Sequence, residues 1–241
     1  MDLLGVKITE TTKQQALEKV GNFLRSSSQY KIFTPNPEFL VKAQKDEYFK
    51  KVLNTGHLNL CDGMGVQIFT GIKRIPGVDF MVDLCVLADK EGRGIYLLGS
   101  GDEAVIKNTF EALHKKFPNL KISGYNKGPV LNEDTMQQFD TYIIDEINKT
   151  GAEILFVAFG MGKQEKWIYE NLSKMPNIKV AMGVGGSFDF ISNRIKRAPL
   201  FLRKLGLEWV YRLIQQPQRI GRIFNATAVF TWLVIQKIWK K

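Results

Sequence analysis

Along the first 190 residues, short apolar runs alternate with longer stretches in which apolar positions recur every three or four residues. The short runs at 31–34, 58–61, 94–99, 121–125, 154–159 and 179–184 are predicted strands. Several are apolar throughout, as expected when both faces of a sheet are covered. The periodic stretches near 11–26, 37–53, 77–90, 102–116, 133–149 and 164–174 are predicted helices; Ala104, Ile106, Phe110, Leu113 and Phe117, for example, approximate one helix face. Strands that alternate with helices in this way predict an α/β fold: a Rossmann-like, doubly wound, mostly parallel sheet.

The pattern changes near residue 190. After Arg197 the strand signals end, and two helical stretches near 199–215 and 218–239 follow, separated by Pro217. Residues 223–236 carry no charge and are rich in Phe, Trp, Leu, Val and Ile. At ~1.5 Å per residue that run is too short to cross a ~30 Å hydrocarbon layer. With arginines before it and lysines after it, it fits a helix lying in a membrane interface. A core helix or a contact with a second copy of the chain is the competing reading. The expected organisation is therefore an α/β body over residues 1–190 and a helical appendage over 191–241.

Charge sharpens this division. The chain of 241 residues carries a formal net charge of +10. Residues 191–241 hold eleven basic side chains and a single acid, Glu208, so the body is electroneutral and the whole excess sits on the appendage. Such a segment points to an anionic partner: phospholipid, nucleic acid or a phosphorylated substrate. Aromatic residues interleaved with cations could stack bases. Here Phe and Trp cluster in the uncharged run instead, which suits lipid. No apolar run opens the chain as a secretory leader would. Two cysteines make no disulfide framework in a chain of this size and fit a reducing compartment. Two well-separated histidines without cysteines at ligand spacing predict no structural zinc.

In an open parallel sheet, ligands bind beyond the carboxyl ends of the strands. The notable polar motifs all fall there. Thr34-Pro35-Asn36-Pro37 is a rigid turn in which Asn36 either caps the next helix or, with Thr34, offers hydrogen bonds to a sugar. Asp62-Gly63 is a turn or a carboxylate placed to act as a general base. Arg74, ahead of Pro76-Gly77, is a surface arginine or a phosphate clamp. Gly99-Ser100-Gly101 and Gly183-Val184-Gly185-Gly186-Ser187 are ordinary turn glycines or let a backbone approach a ligand at a helix start. Neither carries a complete dinucleotide fingerprint or a P-loop lysine. Gln164 and Glu165 open a helix; Glu165 suits the helix dipole, and Gln164 could reach a donor sugar. No Asp-x-Asp occurs, so no divalent ion or cofactor is expected.

Taken in order, these elements resemble the WecG/TagA/CpsF family of bacterial glycosyltransferases. The matching set is Thr34-x-Asn36, Asp62-Gly63, Arg74-x-x-Gly77, Gly99, Lys163-Gln164-Glu165, Gly183-x-Gly185-Gly186-x-Phe188-Asp189, Arg197-Ala198-Pro199, Glu208-Trp209-x-x-Arg212-Leu213, Pro217, Arg219 and Arg222, and it covers nearly the whole chain. Gly162 and Ser192-Asn193 stand where the family usually has Pro and Ala-Gly, which are changes of loop conformation. The resemblance implies inverting, metal-independent transfer of N-acetylmannosamine from UDP-N-acetylmannosamine to undecaprenyl-diphosphate-GlcNAc in a β1,4 linkage, in wall teichoic acid synthesis. It also implies cytoplasmic residence on the inner face of the membrane, with no nucleic-acid partner. By position it implies Asp62 as catalytic base and Thr34, Asn36, Arg74 and Gln164 as site residues. Arg212, Arg219 and Arg222 become the appendage arginines that close over the diphosphate.

Three other readings remain at this stage. A related transferase would use the uronic acid of the same sugar or a UDP-hexose. A non-catalytic basic module would explain the charge but not the polar residues at the strand ends. A nicotinamide enzyme is disfavoured by the poor glycine fingerprint.

Overall fold

The computed structural model describes residues 1–129 and 133–239; Lys240 and Lys241, counted above in the basic segment, lie outside them. The chain opens with a two-residue hairpin, β1 (Asp2–Leu3) and β2 (Val6–Lys7), paired antiparallel. Its turn places Leu4 at φ 55° and Gly5 at φ 79°, the primed geometry that matches strand twist.

Helix α1 (Lys13–Arg25) starts at a reciprocal cap in which Thr12 and Gln15 each accept the other's backbone N–H. Then come β3 (Tyr30–Phe33), α2 (Pro37–Ala43), α3 (Glu47–Leu53), β4 (Leu58–Asn59), α4 (Met64–Thr70) and α5 (Gly77–Glu91). The second half of the body continues with β5 (Gly94–Gly99), α6 (Glu103–Lys116), β6 (Ile122–Asn126), α7 (Glu133–Asn148), β7 (Ala152–Ala158), α8 (Lys163–Asn171), β8 (Val180–Gly183) and α9 (Ser187–Ile191).

Strands β3 to β8 form one sheet in the order β4-β3-β8-β7-β5-β6, and every neighbouring pair is parallel. Side-chain alternation splits the core into two layers. Ile32, Ile95, Leu97, Ile154, Phe156 and Met182 pack beneath α1, α5 and α6. Phe33, Tyr96, Leu98, Leu155, Val157 and Ala181 pack on the other face with α2, α3, α7 and α8. The predicted doubly wound α/β sheet is thus present, and its predicted strands are all in it.

Local chemistry shifts several helix boundaries. The stretch near 37–53 is two helices, because Asp46 breaks it and caps α3 by accepting the Phe49 N–H at 2.8 Å. Helix α4 buries only Val66, so it leaves no periodic signal in the sequence.

The appendage comprises α10 (Leu200–Lys204), α11 (Glu208–Gln215), α12 (Ile220–Phe224) and α13 (Phe230–Trp239). The stretch near 199–215 is interrupted by Gly206 at φ +75°. The stretch near 218–239 runs on through a π-helical turn at Asn225–Val229, a feature that often marks functional sites. Phe230 and Val234 enter the core layer that contains α2 and the N-terminal hairpin, and Lys237 pairs with Asp2 at 2.9 Å. Among the described residues no helix is long and apolar enough to cross a membrane.

Candidate active site

A cavity of about 760 Å³ opens at the carboxyl ends of the parallel strands and is roofed by the appendage. The predicted residues Thr34, Asn36, Asp62, Arg74, Gln164, Gly185, Gly186, Arg212, Arg219 and Arg222 all line it. Gly99 and Gly183 stand behind the wall. A Cβ on Gly99 would lie 2.8 Å from the Ala158 backbone, and one on Gly183 would lie 2.7 Å from Gln164 Nε2. These two glycines allow close packing behind the site.

Asp62 follows β4. Its backbone N–H donates to the Pro35 carbonyl at 3.0 Å, tying the two strand-end loops together. Its Oδ2 accepts the Gly77 N–H at 3.3 Å, so the first turn of α5 faces the carboxylate. Burial nevertheless pushes the Asp62 carboxyl up to about 6; the Gly77 bond and Arg74 pull it down, and Glu208 and Asp79 add to the rise. A carboxylate poised near neutrality in a concave site suits a general base. A Cβ on Gly77 would come within 3.3 Å of Thr34 Oγ1 and 3.5 Å of Asp62 Oδ2, so Thr34 and Asp62 flank one backbone position. Asn36 caps α2, its Oδ1 accepting the Phe39 N–H at 3.2 Å. That leaves its amide N–H groups available on the cavity wall.

Gln164 sits in a buried relay whose anchor, Glu165, appeared from sequence to be explained by the helix dipole alone. Glu165 is completely buried. Its Oε2 accepts the Gly162 N–H and its Oε1 accepts from Gln164 Nε2, each at 2.6 Å. Gln164 Oε1 in turn accepts the Gly185 N–H at 3.0 Å. Burial pushes the Glu165 carboxyl up to about 7, against these hydrogen bonds and the nearby Lys42. The relay links the loop after β7 to the loop after β8. Gly162 stands there at φ +87°, which a proline cannot adopt. Asn193 has φ +60°, a left-handed conformation that Asn tolerates.

The appendage also brings cations to the cavity, which Arg212, Arg219 and Arg222 line. Arg212 lies over the Phe190 ring, 4.8 Å from its centroid. Among the described residues neither Arg212 nor Arg219 forms an ion pair, and the buried Arg212 Nε has no hydrogen-bond partner. Burial, with Arg212 and Arg222 alongside, pushes Arg219 down to about 10; burial and Arg222 also lower Arg212. An anion among these guanidiniums would relieve their mutual repulsion and take bidentate hydrogen bonds. Arg197 is different, because Asp79 and Glu208 both hold it.

The sequence profile described as the glycosyl transferase WecG/TagA/CpsF family matches residues 1–241. The chain belongs to this family. It is 36% identical over 200 residues to the N-acetylglucosaminyldiphosphoundecaprenol N-acetyl-beta-D-mannosaminyltransferase of Bacillus subtilis (strain 168), covering 80% of this chain and 75% of that protein. It is 30% identical over 231 residues to the protein of the same name from Staphylococcus aureus (strain MW2), covering 92% and 87%. The protein is therefore a glycosyltransferase. The cavity of this enzyme thus holds a carboxylate, Asp62, that follows β4, together with the guanidiniums of Arg212, Arg219 and Arg222.

Proposed function

We propose that this glycosyltransferase moves N-acetylmannosamine from UDP-N-acetylmannosamine to the GlcNAc of a polyprenyl-diphosphate acceptor, with inversion at the anomeric carbon. The names of its relatives in Bacillus subtilis and Staphylococcus aureus support the sugar and the lipid acceptor. The observation that carries the mechanism is Asp62, a half-buried carboxyl poised near pH 6 in the cavity that the appendage arginines also line.

Asp62 accepts the proton of the acceptor hydroxyl while that oxygen attacks the anomeric carbon. The bond from that carbon to the UDP oxygen breaks, and its electron pair leaves with the β-phosphate. A single displacement by one base inverts the centre. Arg212, Arg219 and Arg222 take up the charge that develops on the leaving diphosphate, the role a divalent ion plays in other transferases. Gln164, Thr34 and Asn36 orient the sugar through hydrogen bonds.

The appendage, residues 191–241, supplies a wall of the site and meets the membrane. Outward-facing Trp232, Ile238 and Trp239, with Ile214, Ile220 and Phe224 before them, are large, apolar and exposed. They lie on the segment that carries the net positive charge, a combination that suits an anionic bilayer surface.

The test is product formation with a panel of UDP-sugars and GlcNAc-diphosphate lipid in the presence of a chelator. Transfer from UDP-N-acetylmannosamine alone, undiminished by the chelator, is expected. Preference for another sugar would refute the donor, and activity restored only by a divalent ion would refute the arginine mechanism.

A further inference from the structure

We propose that the hydrocarbon chain of the lipid acceptor is held where α4 meets the appendage, its first prenyl units lying against Ile68 of α4 and Ile223 and Ala226 of the appendage. This rests on the transferase reading above, and it assigns a site to the part of the acceptor that takes no part in the chemistry.

Asp62 and α4 are neighbours in the chain. The helix starts at Met64, directly after Asp62-Gly63. Residues four apart share a helix face, and Met64 and Ile68 both line the cavity that Asp62 lines. Ile68 is 69% exposed, so most of the burial that this large apolar side chain can gain is still to be made. The adjoining face of the helix is already packed. A Cβ on Gly65 would lie 3.1 Å from Phe230 Cε1, and the Phe69 and Phe230 rings meet edge to face with centroids 5.6 Å apart. Gly65 and Phe69 thus dock α4 onto α13, and Ile68 is left to the cavity.

The appendage contributes a matching stripe. Arg219, Arg222, Ile223, Ala226 and Phe230 line the same cavity at helical spacing. The stripe starts with two cations and turns apolar, and the π-helical turn Asn225–Val229 falls within its apolar part. A nucleotide-sugar matches the cations and leaves the apolar part uncovered, whereas a prenyl chain covers it. A bilayer or a second copy of the chain would instead meet outward-facing side chains such as Trp232 and Trp239, which are exposed and do not line the cavity. Ile68, Ile223 and Ala226 share the cavity with the base, so the ligand they serve is one that also reaches Asp62. The lipid-linked acceptor is that ligand.

The test uses the full chain in detergent solution with two GlcNAc-diphosphate acceptors, one on a polyprenyl chain and one on a short alkyl chain. The unmodified protein is expected to favour the polyprenyl acceptor in kcat/KM. Ile68→Ser and, separately, Ile223→Ser should each shrink that preference by roughly fivefold or more. Calorimetric affinity for UDP should stay within about twofold in Ile68→Ser, which also shows that the variant is folded. Val86→Ser, at an exposed apolar position on α5 that does not line the cavity, should retain the preference. Equal kcat/KM for the two acceptors in the unmodified protein would overturn the assignment. So would an unchanged preference in Ile68→Ser and Ile223→Ser, and weaker liposome binding in those same variants would then give the surface to bulk lipid. No product from the unmodified protein with either acceptor would instead refute the transferase reading itself.

Discussion

Arg222 of α12 forms a two-pronged ion pair with Glu38 in the first turn of α2, its Nη2 and Nε donating to Glu38 Oε2 at 2.6 and 2.9 Å. The pair fastens the appendage to the rim of the cavity two residues from Asn36. It also sets a carboxylate against a cation that a donor diphosphate would need.

Glu38→Gln should therefore free Arg222 for the diphosphate and remove a repulsive charge. A partly exposed pair is worth on the order of 1 kcal/mol or less, so UDP should bind a few-fold more tightly. Without UDP, the appendage should become more sensitive to protease. Calorimetry and limited proteolysis read both effects. Weaker UDP binding would mean that Glu38 contacts the donor directly.

Asp62→Asn should lower turnover by at least ~100-fold, the usual scale for removing a general base, without loss of UDP affinity. The unmodified enzyme should show an acid limb in kcat/KM near pH 6, since the base must be ionised and its carboxyl titrates at about 6. The same shift has a stability consequence. A carboxyl whose pKa is higher folded than unfolded binds its proton more tightly in the native state. Stability then falls as pH rises from the unfolded value through about 6, and is flat above that. Asp62→Asn removes the penalty on the ionised form, so at pH 8 the variant should be more stable by on the order of 2 kcal/mol. At pH 4 the gain should vanish. Melting curves at the two pH values check this, and equal shifts at both would refute it.

The gathering of the candidate residues in one cavity was legible from sequence where they coincide with strand ends. Asp62, Thr34, Asn36 and Gln164 each follow an apolar run, and a parallel sheet gathers such positions at one edge. The strands themselves were legible because two covered faces leave uninterrupted apolar runs, as in Ile154–Phe156 and their neighbours Leu155 and Val157. Features fixed by tertiary contacts were not. Glu165 and Glu38 both sit in first helical turns, where the helix dipole explains an acid sufficiently; only packing reveals one as a buried anchor and the other as a latch. The break at Gly206 and the π turn at Asn225–Val229 likewise arise where the appendage meets α4 and α2. No periodicity records that docking.

Glu165→Gln tests the buried relay. The carboxylate accepts from both Gly162 and Gln164. A glutamine has one acceptor oxygen and brings two donors, so one buried N–H loses its partner at a cost of about 1–3 kcal/mol. The melting temperature should fall, and the Gln164 amide, no longer held with its oxygen toward Gly185, should lose its orientation. Donor kcat/KM should then drop while the Asp62 acid limb stays near pH 6. A stable variant with full activity would show that the relay does not position Gln164.

The last prediction concerns α13, which is apolar on both sides. Phe230, Leu233 and Val234 face the core, while Trp232 and Trp239 remain 60% and 86% exposed. A helix that is apolar all round is normally covered all round, and the cations preceding it favour an anionic cover. Trp232→Ser with Trp239→Ser should weaken binding to liposomes containing phosphatidylglycerol by at least tenfold, a loss of about 1.4 kcal/mol or more. The core face is untouched, so the melting temperature should hold. Raising salt from about 0.05 to about 0.5 M should weaken binding to anionic liposomes by screening the arginines, whereas the smaller affinity for neutral liposomes should persist because it rests on apolar burial. Sedimentation at the two salt concentrations separates the contributions. Salt-independent binding to anionic liposomes would remove the cations from the account, and unchanged binding in the double variant would remove this face of α13.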